Sequence, residues 1–280
     1  MDGHRASVRR REALGAGAGL LAATALTAGC GRASGGRAGP DGVPGATGAP
    51  SGALSSPGHR PPAGPAAPRR FPGQPAQIVH GPRDRPRIAL TFDGHGDPDV
   101  ARAALDRIEQ AGARVTVLAV GSWLARYPGM ARRVLDGGHE LGNHTEHHLD
   151  LAALDEDAAY EEIAACARRL RRLTGSIGTW FRPSPTPYAS ARVQRLARRA
   201  GYPHVLACDV ESLDHEATRV AAVTRKVAGE LRNGSVVGMS LGRPVTAAAL
   251  PLLLAEIGRR GLHAVTATEL LSRPASRPHP

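Results

Sequence analysis

Short apolar runs alternate with amphipathic stretches from Arg87 onward, and that alternation sets the architecture. Ile88-Ala89-Leu90-Thr91-Phe92 reads as a buried strand. Asp99–Ala111 then places Val100, Ala104, Leu105 and Ile108 on one helical face, closed by Gly112. Val115–Val120 is a second strand. A helical stretch interrupted near Pro128 runs to Leu135, and Glu140–Asn143 reads as the end of a third strand. The pattern continues as helix Glu156–Arg172, strand near Trp180-Phe181, helix Ala191–Ala200 and strand Val205–Cys208. Helix Val220–Leu231, strand Ser235–Met239, helix Thr246–Arg260 and strand His263–Val265 complete it. Continuous apolar strands separated by helices imply a parallel sheet covered by helices. About seven such units predict an α/β fold closed, or nearly closed, into a barrel. A doubly wound sheet is disfavoured because no GxGxxG follows a strand.

The chain before this region has another character. Arg9, Arg10 and Arg11 precede an apolar stretch, Ala13–Leu26, which ends in Leu26-Thr27-Ala28-Gly29-Cys30. Arg10-Arg11-Glu12-Ala13-Leu14 resembles a twin-arginine export motif, with Ala13 where a large apolar residue is usual. The segment ending at Cys30 resembles a bacterial lipobox, so residues 1–30 are read as a cleaved lipoprotein signal with Cys30 as the lipidated residue. The competing reading, a membrane-spanning helix, is disfavoured because the apolar core is short and rich in Gly and Ala. Residues 31–76 are Gly, Pro, Ala and Ser with scattered Arg, and are expected to form a flexible tether. Residues 77–273 are the expected folded domain and 274–280 a tail. These features place the protein outside the cytoplasm, held on the outer face of the membrane or secreted.

Composition changes this picture little. The formal net charge is +11, yet Lys226 is the only lysine among 36 basic residues. Arg, Ala, Gly and Pro enrichment of this kind follows from GC-rich codons. Aromatics are 3% of the chain, and no basic run interleaves with them, so a nucleic-acid partner is not expected. An acidic envelope polymer is the better electrostatic partner. Beyond Cys30 only Cys166 and Cys208 remain, without CxxC spacing, and both are expected as buried thiols, with one disulfide the alternative.

Candidate chemistry gathers where the strands end. The segment Gly138–Leu151 holds four of twelve histidines. His144 and His148 stand four residues apart, a spacing that on one helical turn would put both imidazoles on one face and clamp a divalent metal. Alone, the pair reads rather as a solvated, His-rich loop. Asp93 follows the first strand, however, Arg182 the fourth, Asp209 and Asp214 the fifth and Ser240 the sixth, and in a barrel those ends share one mouth. Two histidines and a carboxylate suit Zn²⁺ or a related ion, a carboxylate takes a proton from water, and an arginine beside it holds it ionised. That chemistry is hydrolysis of an amide or ester. His95, His147 and His215 are expected to be solvated or to support the site, with His95 the best replacement ligand.

The ordered set is more specific than its parts. Thr91-Phe92-Asp93, Gly138-His139-Glu140-Leu141-Gly142-Asn143-His144-Thr145 with His148, Phe181-Arg182-Pro183, Asp209-Val210 with Ser212-Leu213-Asp214, and Gly234-Ser235-Val236-Val237 resemble the polysaccharide deacetylases with a NodB homology domain, carbohydrate esterase family 4. The resemblance covers about residues 85–272. It implies a distorted (β/α) barrel and metal-dependent removal of N- or O-acetyl groups from peptidoglycan, chitin-like or related polysaccharides. It also implies roles: Asp93 as catalytic base, His144 and His148 as metal ligands with Thr145 between them, Arg182 as the residue orienting the base, and Asp214 as the acid tuning a catalytic histidine. Three positions depart from the family pattern. Gly94 stands where the third metal-ligating Asp is expected. Pro183-Ser184-Pro185-Thr186 replaces the usual Pro-Pro-Tyr-Gly after the arginine. Ser240 stands where the general-acid histidine is expected. An inactive glycan- or partner-binding protein is therefore the alternative to an enzyme.

Overall fold

The computed structural model describes residues 68–272. The segment before residue 68, with Cys30 and the export motifs, and the tail after residue 272 lie outside the described residues. Among the described residues no helix is long and apolar enough to cross a membrane.

The elements in chain order are β1 (Gln77–Ile78), β2 (Arg87–Gly96), α1 (Pro98–Gln110), β3 (Thr116–Ala119), α2 (Gly121–Arg126), α3 (Gly129–Asp136), β4 (Glu140–Asn143) and α4 (Glu156–Thr174). They continue with α5 (Ala191–Arg199), β5 (Val205–Leu206), β6 (Val210–Glu211), α6 (Val220–Glu230), β7 (Val236–Gly242), α7 (Pro244–Arg259), β8 (His263–Val265) and α8 (Ala267–Leu271). Helix starts follow local chemistry: Asp97 accepts from the amides of Asp99 and Val100, and Asp155 from that of Ala158. Gly175, with φ +81°, ends α4 in the left-handed conformation that glycine adopts most readily.

Every strand pairing is parallel. One sheet runs β4-β3-β2-β7-β6, and β8 pairs with the start of β2. Single bridges carry the wall from Asn143 to Phe181 and from Phe181 to Val205 in β5, which also pairs with β1. The expected strand Val205–Cys208 is thus broken: β5 and β6 are separate, and the Asp209 amide between them bonds Val236. The result is the distorted barrel expected from the motifs.

Alternation along β2 sorts its residues between two environments. Ile88, Leu90 and Phe92 join Val117 and Ala119 in the outer core beneath the helices, whereas Ala89 joins Leu118, Trp180, Leu206 and Val236 in the barrel interior. Thr91 and Asp93 share the inward parity of Ala89.

Phe71 corrects the expected boundary at residue 77. Its ring stacks on Trp180 with centroids 5.1 Å apart and planes 10° from parallel, and its amide bonds His204. A single aromatic in a Pro/Gly-rich stretch contributes too little to local pattern to be noticed, yet it packs against the interior core beside Leu270 and Leu271 of α8. The Pro75 carbonyl also meets His204, just before β5, so the chain enters beside the strand starts. Arg85 before β2 bonds the Ser272 carbonyl, bringing the other end of the described chain to that same face. Cys166 and Cys208 are both free and buried, as expected.

Candidate active site

Three tiers of side chains fill the barrel axis. Phe71 and Trp180 lie toward the strand starts. Above them Arg182, 1% exposed, donates from Nε to Leu206 O, from Nη2 to Thr91 Oγ1 and Ala207 O, and from Nη1 to Asp93 Oδ1 at 3.1 Å. A surface role for Arg182 is ruled out by that burial. At the mouth Asp93 faces Arg182 on one side and His144 on the other, with 3.6 Å between Asp93 Oδ2 and His144 Nε2. Burial pushes the Asp93 carboxyl up, but His144 and Arg182 together outweigh it and hold the group below its ordinary value.

His144 carries the strongest signal in the site. Its Nδ1 lies 3.1 Å from the Arg182 carbonyl, an oxygen that only accepts, so Nδ1 bears the hydrogen of the neutral ring. Nε2 then presents a bare lone pair to an ionised carboxylate. It is buried and has no hydrogen-bond partner. Burial, only partly opposed by Asp93, pushes the imidazole pKa down to about 4, so no proton fills the gap near neutrality. A lone pair and a carboxylate oxygen facing one another without a proton are what a cation resolves.

The two metal-binding candidates do not share a helical turn, in contrast to the reading of their spacing. Residues 144–148 form an irregular loop after β4, with positive φ at Thr145 (67°) and His148 (61°). Two backbone reversals bring the rings to 4.8 Å between centroids at 69°. The Asn143 side chain accepts from the Thr145 amide, and Thr145 Oγ1 accepts from the His148 amide while meeting Ser184 Oγ at 3.2 Å. Thr145 therefore braces the loop.

Other expected members sort differently. Asp209 is not at the mouth: it accepts from Arg83 and from the amide of Val236 at the start of β7. Asp214, 2% exposed, accepts from the Ser240 amide and hydroxyl, at 2.7 and 3.0 Å, and from Thr246 Oγ1. Ser240 sits within β7 rather than after it, in a cleft that Asp93, Arg182, Cys208, Leu213 and Asp214 also line. His147 binds Glu162 at 2.7 Å and stays out of the cluster, whereas His215 pairs with Glu216 at 3.3 Å and lines the cleft beside Asp214. His95 joins the cluster, with its ring 5.2 Å from that of His148. Burial lowers its pKa, partly opposed by Asp93.

Some contributors carry no signal in the sequence. Glu146, buried in the histidine loop, is gripped by Arg169 of α4, and Gly121 leaves it room: a Cβ there would fall 1.9 Å from Glu146 Oε2. Ser184 donates to the Leu149 carbonyl and so ties the loop after Arg182 to the histidine loop. Pro183 and Pro185 have no amide hydrogen, so Ser184 and Thr186 carry the N–H groups left in that stretch.

The donors fit a divalent metal in kind, through the orphaned Nε2 of His144 with His148 and His95 near. Among the described residues they are not drawn to one point, since no group of three His, Cys, Asp or Glu forms a ready ligand set. In a chelator the linkage has a definite sign. His144 titrates near 6.5 when unfolded and about 4 when folded, so the unfolded state binds the proton first. Stability is then lost as pH falls from about 6.5 toward 4, by about 3 kcal/mol for this group. Asp93, held below 3.8, adds its loss only at lower pH. Urea unfolding across that range should show the slope, and His144→Gln should flatten it.

Comparison with known proteins gives the family and the fold. Residues 80–205 match the family model described as polysaccharide deacetylase. A peptidoglycan-N-acetylglucosamine deacetylase of Bacillus cereus is 31% identical over 194 residues, covering 68% of this chain and 90% of the relative. One of Listeria monocytogenes is 30% identical over 184 residues, covering 66% of this chain; the match spans only 38% of the Listeria protein's length. Among solved structures, a family 4 carbohydrate esterase pseudoenzyme from Bacillus anthracis superposes with a TM-score of 0.67 at 21% identity, covering 71% of this chain and 70% of that one. A mutant of that protein, described as having restored enzymatic activity, gives 0.66 at 22% identity, covering 71% of this chain and 72% of that one. Shared fold, ordered motifs and near-complete coverage of the Bacillus cereus relative lead to one conclusion: the chain belongs to the polysaccharide deacetylase family.

Proposed function

We propose that this protein is an exported, metal-dependent deacetylase of acetylated peptidoglycan or a related envelope polysaccharide, working with a weakened site. The observation that carries the reading is the buried His144 Nε2, without a hydrogen-bond partner, opposite the Arg182-clamped Asp93 carboxylate. His144 and His148 would hold the metal, zinc first, and the bound ion would supply Lewis-acid polarisation of the acetyl carbonyl and a more acidic water. Asp93 would accept the water's proton, and Arg182 would keep it ionised and aimed. The departing amine needs a proton, and the Ser240 hydroxyl has no useful acidity near neutral pH, so the base itself must return it. That shortfall is the reason to expect slow turnover. Lipidation at Cys30, with the domain on the outer face of the bacterial cytoplasmic membrane or secreted, completes the proposal.

A second reading is favoured by Gly94 and Ser240: a protein that binds acetylated glycan, or a partner, without turnover. Acetate release separates the two. The full chain, incubated with acetylated chito-oligosaccharides or peptidoglycan and Zn²⁺ or Co²⁺, is expected to release acetate slowly, and His144→Ala to abolish the release. Glycan bound without any acetate at the wild-type residues would establish the binder instead.

A further inference from the structure

We propose that His95 is the third metal ligand, completing a three-histidine site with His144 and His148 in place of the carboxylate missing at position 94. The proposal rests on the metal-site reading above and deepens it.

Position 94 cannot serve. Its parity along β2 is outward, and a Cβ on Gly94 would lie 2.9 Å from Val117 Cγ1 and 3.0 Å from Ala119 Cα, against the outer core and the backbone of β3. The loss of the carboxylate is therefore built into the packing.

Position 95 is brought in by the backbone. Pairing of β2 with β7 runs Asp93 to Ser240 and then Gly96 to Gly242, three steps on one strand against two on the other, so β2 carries an extra residue there. A bulge of this kind re-aims the side chain it contains. It is pinned downstream: Gly96 has φ +88°, a Cβ there would meet Gly242 O at 2.8 Å, and Trp123 Nε1 donates to Gly96 O at 2.9 Å. The His95 ring thus returns to the mouth, 54° from the His148 plane, and His148 stands between it and His144. Asp93, Asp214, His148 and Arg243 are the charged or titratable groups that face it. The ring is half-buried, and the proposal requires it to turn about its side-chain bonds toward His148 when the ion binds.

Three neutral imidazoles select differently from two imidazoles and a carboxylate. Zn²⁺, Co²⁺ and Ni²⁺ are favoured, and oxygen-seeking Mg²⁺ is excluded.

Titration of the full chain with Co²⁺, followed by its visible absorption and by competition with Zn²⁺, tests the assignment. His95→Ala is expected to weaken Co²⁺ binding at least about 100-fold, more than the 10–100-fold that loss of an outer partner costs. His95→Asp should retain binding, and added imidazole should restore the His95→Ala spectrum. Gly94→Asp placed in His95→Ala should not restore it. A thermal melt in chelator shows whether each variant is folded. Unchanged Co²⁺ affinity in folded His95→Ala overturns the proposal, even if acetate release falls, as does a wild-type protein that binds no Co²⁺. Metal bound through His95 without any acetate release leaves the three-histidine site standing and removes the hydrolase reading.

Discussion

Arg182→Met is expected to cost about 3 kcal/mol of folding stability, at the lower end of what breaking a buried ion pair costs because Asp93 keeps some exposure. Methionine approximates the volume but offers nothing to Asp93, Thr91 Oγ1 or the carbonyls of Leu206 and Ala207. Those acceptors lie in the barrel interior, where an unmatched polar group is expensive and water has little access. The Asp93 carboxyl should also rise toward neutrality once the guanidinium is gone, so the base would be lost along with the stability. Urea unfolding of wild type and variant measures the first effect. A difference below about 1 kcal/mol would mean that the four-way grip of Arg182 contributes little to folding.

Ser240→His carries the largest expected gain in rate. The position is 7% exposed, lines the same cleft as Asp93 and Arg182, and lies against Asp214. An imidazole there would have the carboxylate of Asp214 to fix its ring, provided that Thr246 keeps the other oxygen occupied. Restoring a general acid typically returns ~10²–10⁴ in rate, and the lower part of that range is expected because Pro183 and Pro185 leave fewer backbone amides after Arg182 to meet a developing oxyanion. Acetate release per enzyme at saturating glycan should rise about 100-fold, with a falling limb at high pH that wild type lacks. An increase below about 3-fold would place the deficiency at the metal or the oxyanion instead.

Residue chemistry was more legible in the sequence than residue geometry. Asp93, His144, His148, Arg182 and Asp214 were named from type and order, and the structure gathers Asp93, Arg182 and the histidines at one mouth. The helical reading of His144 and His148 failed because a four-residue spacing says nothing about two positive-φ residues between and at its ends. Asp209 sits away from the mouth, at the start of β7, because β5 ends at Leu206 and β6 begins only at Val210. The fold was readable because strand and helix periods repeat over many residues. The packing of Phe71 on Trp180, the Arg169 grip on Glu146 and the extra residue in β2 were not, since each depends on a partner distant in the chain or on a one-residue register change.

The way the described chain enters and leaves the barrel has a practical consequence. Both ends of the described region emerge beside the strand starts, with Pro75 at His204 and Ser272 at Arg85. The cleft opens at the opposite pole. Fluorescent or affinity labels attached at either end would therefore leave the cleft clear.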